Sequence, residues 1–160
     1  MHSLIEINHN TKIVGLIGHP IKHSRSPILH NYAFNKAELD YVYLPFDIAS
    51  TNLKDALKGM VALSVKGFNV TVPHKERIVE YLDELSDGAK IVNAVNTVVI
   101  DNGKLHGYNT DVYGIIQTLE PFREEIAGKT VSVFGAGGAA RAVIYALINN
   151  FNVYNSNIIK

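Results

Sequence analysis

The 160-residue sequence contains no cysteine, which excludes disulfide bonds, thiolate metal sites and a cysteine nucleophile. This absence is also typical of proteins from a reducing compartment. Neither sign of charge is in excess, since fifteen basic and fifteen acidic residues give a formal net charge of zero. The composition therefore indicates neither a basic surface for nucleic acid nor an acidic solvating tail.

Long apolar segments are missing as well. Residues 1–10 do not join a charged flank to an apolar stretch, so they indicate no secretory signal. The apolar run at residues 142–148 is far shorter than the roughly 20 residues that span a bilayer. We therefore expect a cytoplasmic protein that binds neither membranes nor nucleic acid, with enough apolar residues for a buried core.

Short β-branched segments alternate with amphipathic segments along the chain, which predicts an open α/β fold. The predicted strands are residues 13–17, 41–46, 67–72, 95–100, 104–107 and 130–134. The predicted helices are residues 27–37, 53–63, 74–82, 89–92, 111–119 and 139–148. Residues 151–160 are predicted to be a tail.

A domain boundary is predicted near residues 111–129, because a glycine-rich loop opens a new unit after a segment long enough to fold alone. The two predicted units are residues 1–111 and residues 112–160. A single strand and helix cannot bury their own apolar faces, so we expect the second unit to be incomplete as given.

The glycine-rich segment at residues 135–140 follows a predicted strand, opens a predicted helix and fits the dinucleotide fingerprint. Gly135 permits a tight turn, Gly137 allows the backbone to approach a pyrophosphate, and Ala140 allows close helix packing. The candidate cofactor-binding residues are Gly135, Ala136, Gly137, Gly138, Ala139 and Ala140. A glycine-rich turn without a ligand is the alternative.

The residues that distinguish cofactor types are not found after this loop. No Asp or Glu follows Glu125, so the acidic residue that holds a ribose hydroxyl in NAD sites is missing. No arginine follows Arg141, so the sequence does not show a clamp for the NADP 2′-phosphate either. The choice between the two cofactors stays open from these residues alone.

Four further segments, in this order and spacing, resemble the shikimate dehydrogenase family. They are Gly-His-Pro-Ile-Lys-His-Ser-Arg-Ser-Pro at 18–27, Asn-Val-Thr-Val-Pro-His-Lys at 69–75, Ala-Val-Asn-Thr-Val at 94–98 and Gly-Tyr-Asn-Thr-Asp at 107–111. The glycine loop with Arg141 is a fifth, and the resemblance extends over residues 13–148. It implies NADP-dependent, reversible reduction of 3-dehydroshikimate to shikimate in aromatic amino acid biosynthesis.

The same resemblance implies the fold of each unit. Residues 1–111 would be an open three-layer α/β domain that binds shikimate. Residues 112–160 would be the first strand, loop and helix of a Rossmann-type NADP-binding domain. The expected partners are a small-molecule substrate and NADP, and the expected assembly is a monomer or homodimer.

Two serines precede the first predicted helix. Hydroxyls beside a helix N-terminus suit a carboxylate, and N-capping by Ser26 is the alternative. The resemblance implies that Ser24 and Ser26 hold the shikimate carboxylate and that Thr71 lies in the same pocket. Asn96 would contact the ring hydroxyls of the substrate, with a turn-stabilising asparagine as the alternative.

Lys75 and Asp111 are the candidate catalytic residues. From the residues alone, Lys75 at the start of a helix is an acid–base group or a solvated surface lysine. Asp111, also at a helix start, is otherwise a helix cap. The resemblance implies that Lys75 is the acid–base group and that Asp111 pairs with it and contacts a substrate hydroxyl.

The remaining expectations concern metals and alternative functions. No histidine lies in a metal-binding motif, so we predict no metal and interpret His19, His23, His30 and His74 as surface residues or neighbours of the site. A quinate or quinate/shikimate dehydrogenase is one alternative, which turnover of both acids would decide. A non-catalytic fragment that at most binds substrate is another, and we expect the isolated 160-residue chain to show little NADPH turnover.

Overall fold

The computed structural model describes residues 6–159, which form two β-sheets with α-helices around them. The strands are β1 (Lys12–Gly18), β2 (Tyr41–Asp47), β3 (Gly67–Val70), β4 (Glu84–Leu85), β5 (Thr97–Asp101), β6 (Lys104–Tyr108), β7 (Thr130–Phe134) and β8 (Asn155–Ile159). The helices are α1 (Ser26–Lys36), α2 (Leu53–Ala62), α3 (His74–Arg77), α4 (Asp87–Val92), α5 (Asp111–Leu119), α6 (Arg123–Ile126) and α7 (Gly138–Asn150). Short 3-10 segments lie at Ser50–Asn52, Ile78–Tyr81 and Glu120–Phe122.

The larger sheet has the strand order β2-β1-β3-β5-β6-β4. The pairs β1–β2, β1–β3 and β4–β6 are parallel, whereas β3–β5 and β5–β6 are antiparallel. Because β1 and β3 are parallel neighbours, their carboxyl ends lie at the same edge of the sheet. Loops that leave this edge are where open α/β sheets bind ligands.

Helices cover both faces of this sheet. Adjacent side chains of a strand point to opposite faces, and β1 shows this directly. Ile17 is fully buried in one core cluster with Leu57 of α2, whereas Leu16 packs with Tyr43 of β2 and Phe34 of α1 in another. The predicted open three-layer α/β architecture is therefore confirmed.

The smaller sheet consists of β7 and β8, which pair in parallel from Thr130 with Asn155 to Phe134 with Ile159. The predicted tail is therefore wrong, since it contains a second strand. Pattern reasoning missed β8 because it begins with three polar residues that have little intrinsic strand preference. Its backbone pairing with β7 determines the structure there. The boundary between residues 1–111 and 112–160 stays a prediction.

Two predicted elements are shorter than expected. The predicted strand at 67–72 ends at Val70, because Thr71 begins a turn in which the His74 amide donates to the Thr71 carbonyl. The predicted helix at 74–82 is the four-residue α3 followed by a 3-10 segment. The other predicted elements agree with the structure to within two residues at each end. Within residues 6–159, no helix has the length and apolar character needed to cross a membrane.

Candidate active site

Lys75 and Asp111 are distant in sequence but form an ion pair. Lys75 is the second residue of α3 and Asp111 is the first residue of α5. Lys75 Nζ lies 2.7 Å from Asp111 Oδ2, and the two side chains are 20% and 27% exposed. This partial shielding from water strengthens the charge interaction relative to an exposed pair. The structure therefore brings the two candidate catalytic residues together.

Asn96 joins this pair from the segment before β5. Its Nδ2 group donates to Asp111 Oδ1 at 2.8 Å and is also 2.8 Å from Thr110 Oγ1. Its Oδ1 accepts from the Thr110 backbone amide at 3.0 Å. Asn96 is buried. Its bonds to Asp111 and Thr110 take up much of the hydrogen-bonding capacity of the side chain. The amide thus holds the carboxylate in a fixed orientation toward Lys75.

Thr71 follows β3 at the same edge of the sheet. Its backbone amide donates to the Ile17 carbonyl, and the His19 amide donates to the Val72 carbonyl. These bonds tie the loop after β3 to the loop after β1. The Thr71 methyl group also lies against Gly18, where an added Cβ would come within 2.4 Å of it. Close packing therefore fixes Thr71 beside the loop that leads from β1 to the two candidate serines.

Ser24 and Ser26 lie in that loop and at the first position of α1. The Ser24 hydroxyl accepts from the Ser26 amide at 3.3 Å. Arg25 occupies the N-cap position of α1, and no side chain there makes a capping hydrogen bond. The alternative that Ser26 caps the helix is therefore wrong. Both side chains are half-buried, and their role with a carboxylate stays a prediction.

The glycine loop lies between β7 and α7, as the fingerprint predicts. Gly135 has a φ of +111°, which side-chain-bearing residues rarely adopt. Gly137 is the extended N-cap of α7. Gly138 is buried, which was not predicted, and Ala140 is half-buried; the packing role of Ala140 stays a prediction.

Two clefts meet at Lys75. The first, of about 360 Å³, lies between the β3–α3 segment and the glycine loop. Its lining includes Thr71, Val72, Pro73, Lys75, Glu76 and residues 134–140 except Ala136. The second, of about 570 Å³, lies between α5 and α7 and contains Lys75, Thr110, Asp111 and Ala139. Lys75 therefore borders the glycine loop on one side, and its amine contacts Asp111 on the other.

A chain of hydrogen bonds behind Asn96 was not predicted from the sequence. The Thr97 hydroxyl donates to Asn96 Oδ1 at 3.0 Å, and Asn69 Nδ2 donates to Thr97 Oγ1 at 3.2 Å. The Tyr43 hydroxyl in turn donates to Asn69 Oδ1 at 2.8 Å. Burial raises the pKa of Tyr43 to about 12, so this hydroxyl keeps its proton and remains a donor. The chain fixes the orientation in which Asn96 Nδ2 faces Asp111.

The histidines differ in their surroundings. His19 and His23 are exposed, and His30 stacks on Tyr43 with ring centroids 4.3 Å apart. His74 is fully buried, with Nε2 2.7 Å from the Ile48 carbonyl oxygen, so the surface interpretation of His74 is wrong. Among residues 6–159, no group of three or more His, Cys, Asp or Glu side chains is arranged to hold a metal ion.

Known proteins are similar to this chain in sequence and in fold. Residues 16–98 match the family model of the shikimate dehydrogenase substrate binding domain. The shikimate dehydrogenase (NADP(+)) of Caldanaerobacter subterraneus subsp. tengcongensis is 51% identical over 143 residues, which cover 89% of this chain and 51% of that protein.

Two solved structures are similar over almost the whole chain. A crystal structure of shikimate dehydrogenase in complex with NADP+ has a TM-score of 0.84 and 48% identity, covering 96% of this chain and 52% of that one. The shikimate 5-dehydrogenase of Listeria monocytogenes, in complex with shikimate and NAD, has a TM-score of 0.81 and 45% identity. It is matched over 95% of this chain and 52% of its own.

The extent of these matches determines what they show. This chain spans about half the length of the curated relatives that it matches. The family model, in contrast, covers more than half of the chain. It includes every candidate substrate residue except Asp111, namely Ser24, Ser26, Thr71, Lys75 and Asn96. The chain therefore belongs to the shikimate dehydrogenase family, and residues 16–98 are its match to the family's substrate-binding domain.

Proposed function

We propose that this chain provides the substrate site, and part of the cofactor site, of an NADP-dependent shikimate dehydrogenase that reversibly reduces 3-dehydroshikimate to shikimate. One observation carries the proposal: Lys75 lines both clefts, with Asp111 2.7 Å from its amine on one side and the glycine loop on the other. The family match and the names of the relatives support the same reaction. The proposed compartment is the cytoplasm.

The residues of the glycine loop fit a dinucleotide. Gly135 takes a backbone conformation that a side chain disfavours, and Gly137 leads into the first turn of the 13-residue α7. Amide groups at a helix N-terminus lack internal partners and attract a negatively charged pyrophosphate. Residues 135–140 would hold the pyrophosphate of NADP. When bound, NADPH supplies the hydride that the substrate carbonyl carbon accepts.

Lys75 is proposed to move the proton of this reaction. Its ammonium group donates a proton to the carbonyl oxygen as that oxygen becomes an alcohol, and the amine then regains a proton from solvent. In the reverse direction the amine removes the proton from the alcohol. Proton transfer of this kind requires an acid–base group within hydrogen-bond reach of the oxygen, which the partly exposed position of Lys75 permits.

Asp111 and Asn96 are proposed to orient the ring hydroxyls, Asp111 by direct contact and Asn96 through the hydrogen bond that it donates to Asp111. A carboxylate offers about four acceptor positions, and Asp111 uses one oxygen for Lys75 and the other for Asn96. Acceptor capacity is therefore left for a substrate hydroxyl beside the amine. A site built to bind hydroxyl groups rejects analogues that lack them, because its own polar groups would then be left without partners.

The opposite end of the substrate is proposed to lie against Ser24, Ser26 and Thr71. The loops that contain them leave the same edge of the sheet and are joined by backbone hydrogen bonds. Three hydroxyl groups can donate to the two oxygens of a carboxylate. This arrangement would hold the shikimate carboxylate away from Lys75, which leaves the amine free to act on the ring oxygen.

Shikimate binding to the 160-residue chain tests this substrate site without the cofactor. Replacing Ser24 or Ser26 with alanine is expected to raise the Kd for shikimate at least about tenfold, since each hydrogen bond to a charged group contributes about 1.5–3 kcal/mol. Isothermal titration calorimetry at two temperatures measures this change. Ser132→Ala, an exposed serine of β7, is the matched control and should leave the Kd unchanged.

Two results would contradict the proposed substrate site. One is a folded chain, verified by circular dichroism, that shows no heat of binding with millimolar shikimate at either temperature. The other is a wild-type chain that binds shikimate while both serine variants bind it equally well. Parallel titrations with quinate show whether the site distinguishes the two acids.

A further inference from the structure

The first turn of α7 touches the catalytic segment through a glycine. Gly138 is buried, and a Cβ added to it would lie 2.9 Å from the Ala94 Cβ and 3.5 Å from the Lys75 Cβ. Real Cβ atoms essentially never approach another heavy atom as closely as the first of these distances. Gly138 lies within α7, where alanine is the better helix former, so its own conformation does not require glycine. Glycine is required at this position by the close contact with Ala94 and Lys75.

The surface that Gly138 touches is held in place on both sides. Ala94 is fully buried, and its carbonyl oxygen accepts from Asn109 Nδ2 at 3.0 Å. The next residue, Val95, donates its backbone amide to the Lys75 carbonyl at 2.7 Å. Ala94 and Lys75 therefore form one continuous surface. At the Ala94 contact the touching atom is a Cβ, which cannot move aside as the end of a long side chain can. A group added at position 138 would have to displace α7.

A second contact joins the same segments one helical turn further along. Arg141 Nη2 lies 2.7 Å from Glu76 Oε2, and Arg141 Nη1 donates to the Asn93 carbonyl at 3.5 Å. Glu76 follows Lys75 in the chain, and Asn93 precedes Ala94. Both side chains of the ion pair are 40% exposed, so the pair alone contributes modestly to stability. Like the Gly138 contact, the Arg141–Glu76 pair joins α7 to the segment that contains Lys75.

We propose that Gly138 is a positioning residue that sets the spacing between the glycine loop and Lys75, with the Arg141–Glu76 ion pair maintaining the same spacing. This inference rests on the proposed function, since the spacing matters only if a cofactor on the loop and a substrate beside Lys75 react together. Misplacement of reacting groups by about 1 Å can cost a hundredfold in rate. The pyrophosphate would be held by backbone amides of the loop, which Gly138→Ala retains, so we expect displacement of α7 to lower the rate more than the cofactor affinity.

The contact itself is tested in the 160-residue chain without any ligand. Gly138→Ala is expected to lower the melting temperature by about 3–10 °C, the effect of overpacking by one methyl group in a protein of this size. It should also move the backbone amide resonance of Lys75. Adding Ala94→Gly makes room for the methyl group, so the double variant should melt no lower than Gly138→Ala and return the Lys75 resonance toward its original position.

The matched control is Gly59→Ala in α2, where an added Cβ meets no atom within 4 Å. It should neither lower the melting temperature nor move the Lys75 resonance. Shikimate binding to the Gly138→Ala chain should stay within threefold of that of the unaltered chain. If neither the unaltered chain nor the Gly138→Ala chain binds shikimate, the proposed function is contradicted. The melting temperature and the Lys75 resonance still test the Gly138 contact independently of that result.

The effect on chemistry is tested in the protein made from the complete reading frame that encodes this chain. Gly138→Ala is expected to lower kcat at least tenfold while the KM for NADPH changes less than threefold, and Ala94→Gly should restore part of kcat. Arg141→Gln should lower kcat severalfold in the same way, with Arg141→Lys closer to the unaltered protein. A rise in the NADPH KM with unchanged kcat, or a double variant in which neither the Lys75 resonance nor kcat lies closer to the unaltered protein than in Gly138→Ala, would overturn the positioning role.

Discussion

Replacing Lys75 with alanine is expected to lower turnover of shikimate at least about a hundredfold, which is the scale of general acid–base catalysis. The variant loses the only group in the proposed mechanism that moves a proton to or from the substrate oxygen. Shikimate and the cofactor keep their other contacts, so the loss should fall on kcat. Steady-state kinetics with the protein from the complete reading frame measure it.

Lys58→Ala provides a matched control for this experiment. Lys58 also lies on a helix and pairs with an aspartate, at 3.5 Å, but its side chain is 69% exposed. Its removal should leave turnover within twofold of the unaltered protein. Near-normal turnover by Lys75→Ala, with correct folding, would remove Lys75 from the acid–base role.

The Asp111→Asn substitution is expected to lower kcat/KM for shikimate by about a hundredfold. The change removes a charged acceptor that holds Lys75 Nζ at 2.7 Å and a proposed contact to a ring hydroxyl. The contact to the ring hydroxyl alone contributes about 1.5–3 kcal/mol, or roughly ten- to a hundredfold, and loss of the charge that holds Lys75 in place accounts for the rest. The new amide group would also place donors against either Lys75 or Asn96.

The double variant shows whether the two residues act together. If Asp111 works through Lys75, then Lys75→Ala with Asp111→Asn should be little worse than Lys75→Ala alone, because residues that act as a unit are not additive. Two losses that multiply would instead show independent roles. The control is Asp87→Asn, since Asp87 is also the first residue of its helix and pairs with a lysine, at 3.6 Å. It should leave kcat/KM unchanged.

Alternation of hydrophobic segments was enough to predict most of the fold. Strands such as β1 and β7 are rich in β-branched residues and bounded by glycine, and α2 places Leu53, Leu57 and Met60 on one buried face. These signals are local, so they can be seen without knowledge of the partners. The β8 strand lacks them, because its place depends on pairing with β7. Local sequence patterns therefore do not predict a strand whose position depends only on backbone pairing.

The candidate site was predicted from motif segments rather than from geometry. The sequence does not show that Lys75 on α3 and Asp111 on α5 meet, because that contact depends on how two helices 36 positions apart are placed. Asn69 and Thr97 lay inside the motif segments, but only the structure shows that they support Asn96. Tyr43 carried no signal, since a tyrosine in a strand is typical of a core.

Packing against neighbours explains the remaining differences. His74 was interpreted as a surface residue or a neighbour of the site, and the structure buries it with Nε2 2.7 Å from the Ile48 carbonyl oxygen. Gly138 was predicted as one of the loop residues that bind the cofactor, and only the structure shows that its environment requires the absence of a side chain. Both features depend on residues that are remote in sequence, so no local pattern predicts them.

A crystal structure of the chain with bound shikimate tests the proposed substrate site most directly. We expect one ring hydroxyl within hydrogen-bond distance of both Lys75 Nζ and Asp111, with the carboxylate of the ligand against Ser24 and Ser26. A ligand bound in the reverse direction, with its carboxylate on Lys75, or one that contacts neither Lys75 nor the two serines, would contradict the proposed site.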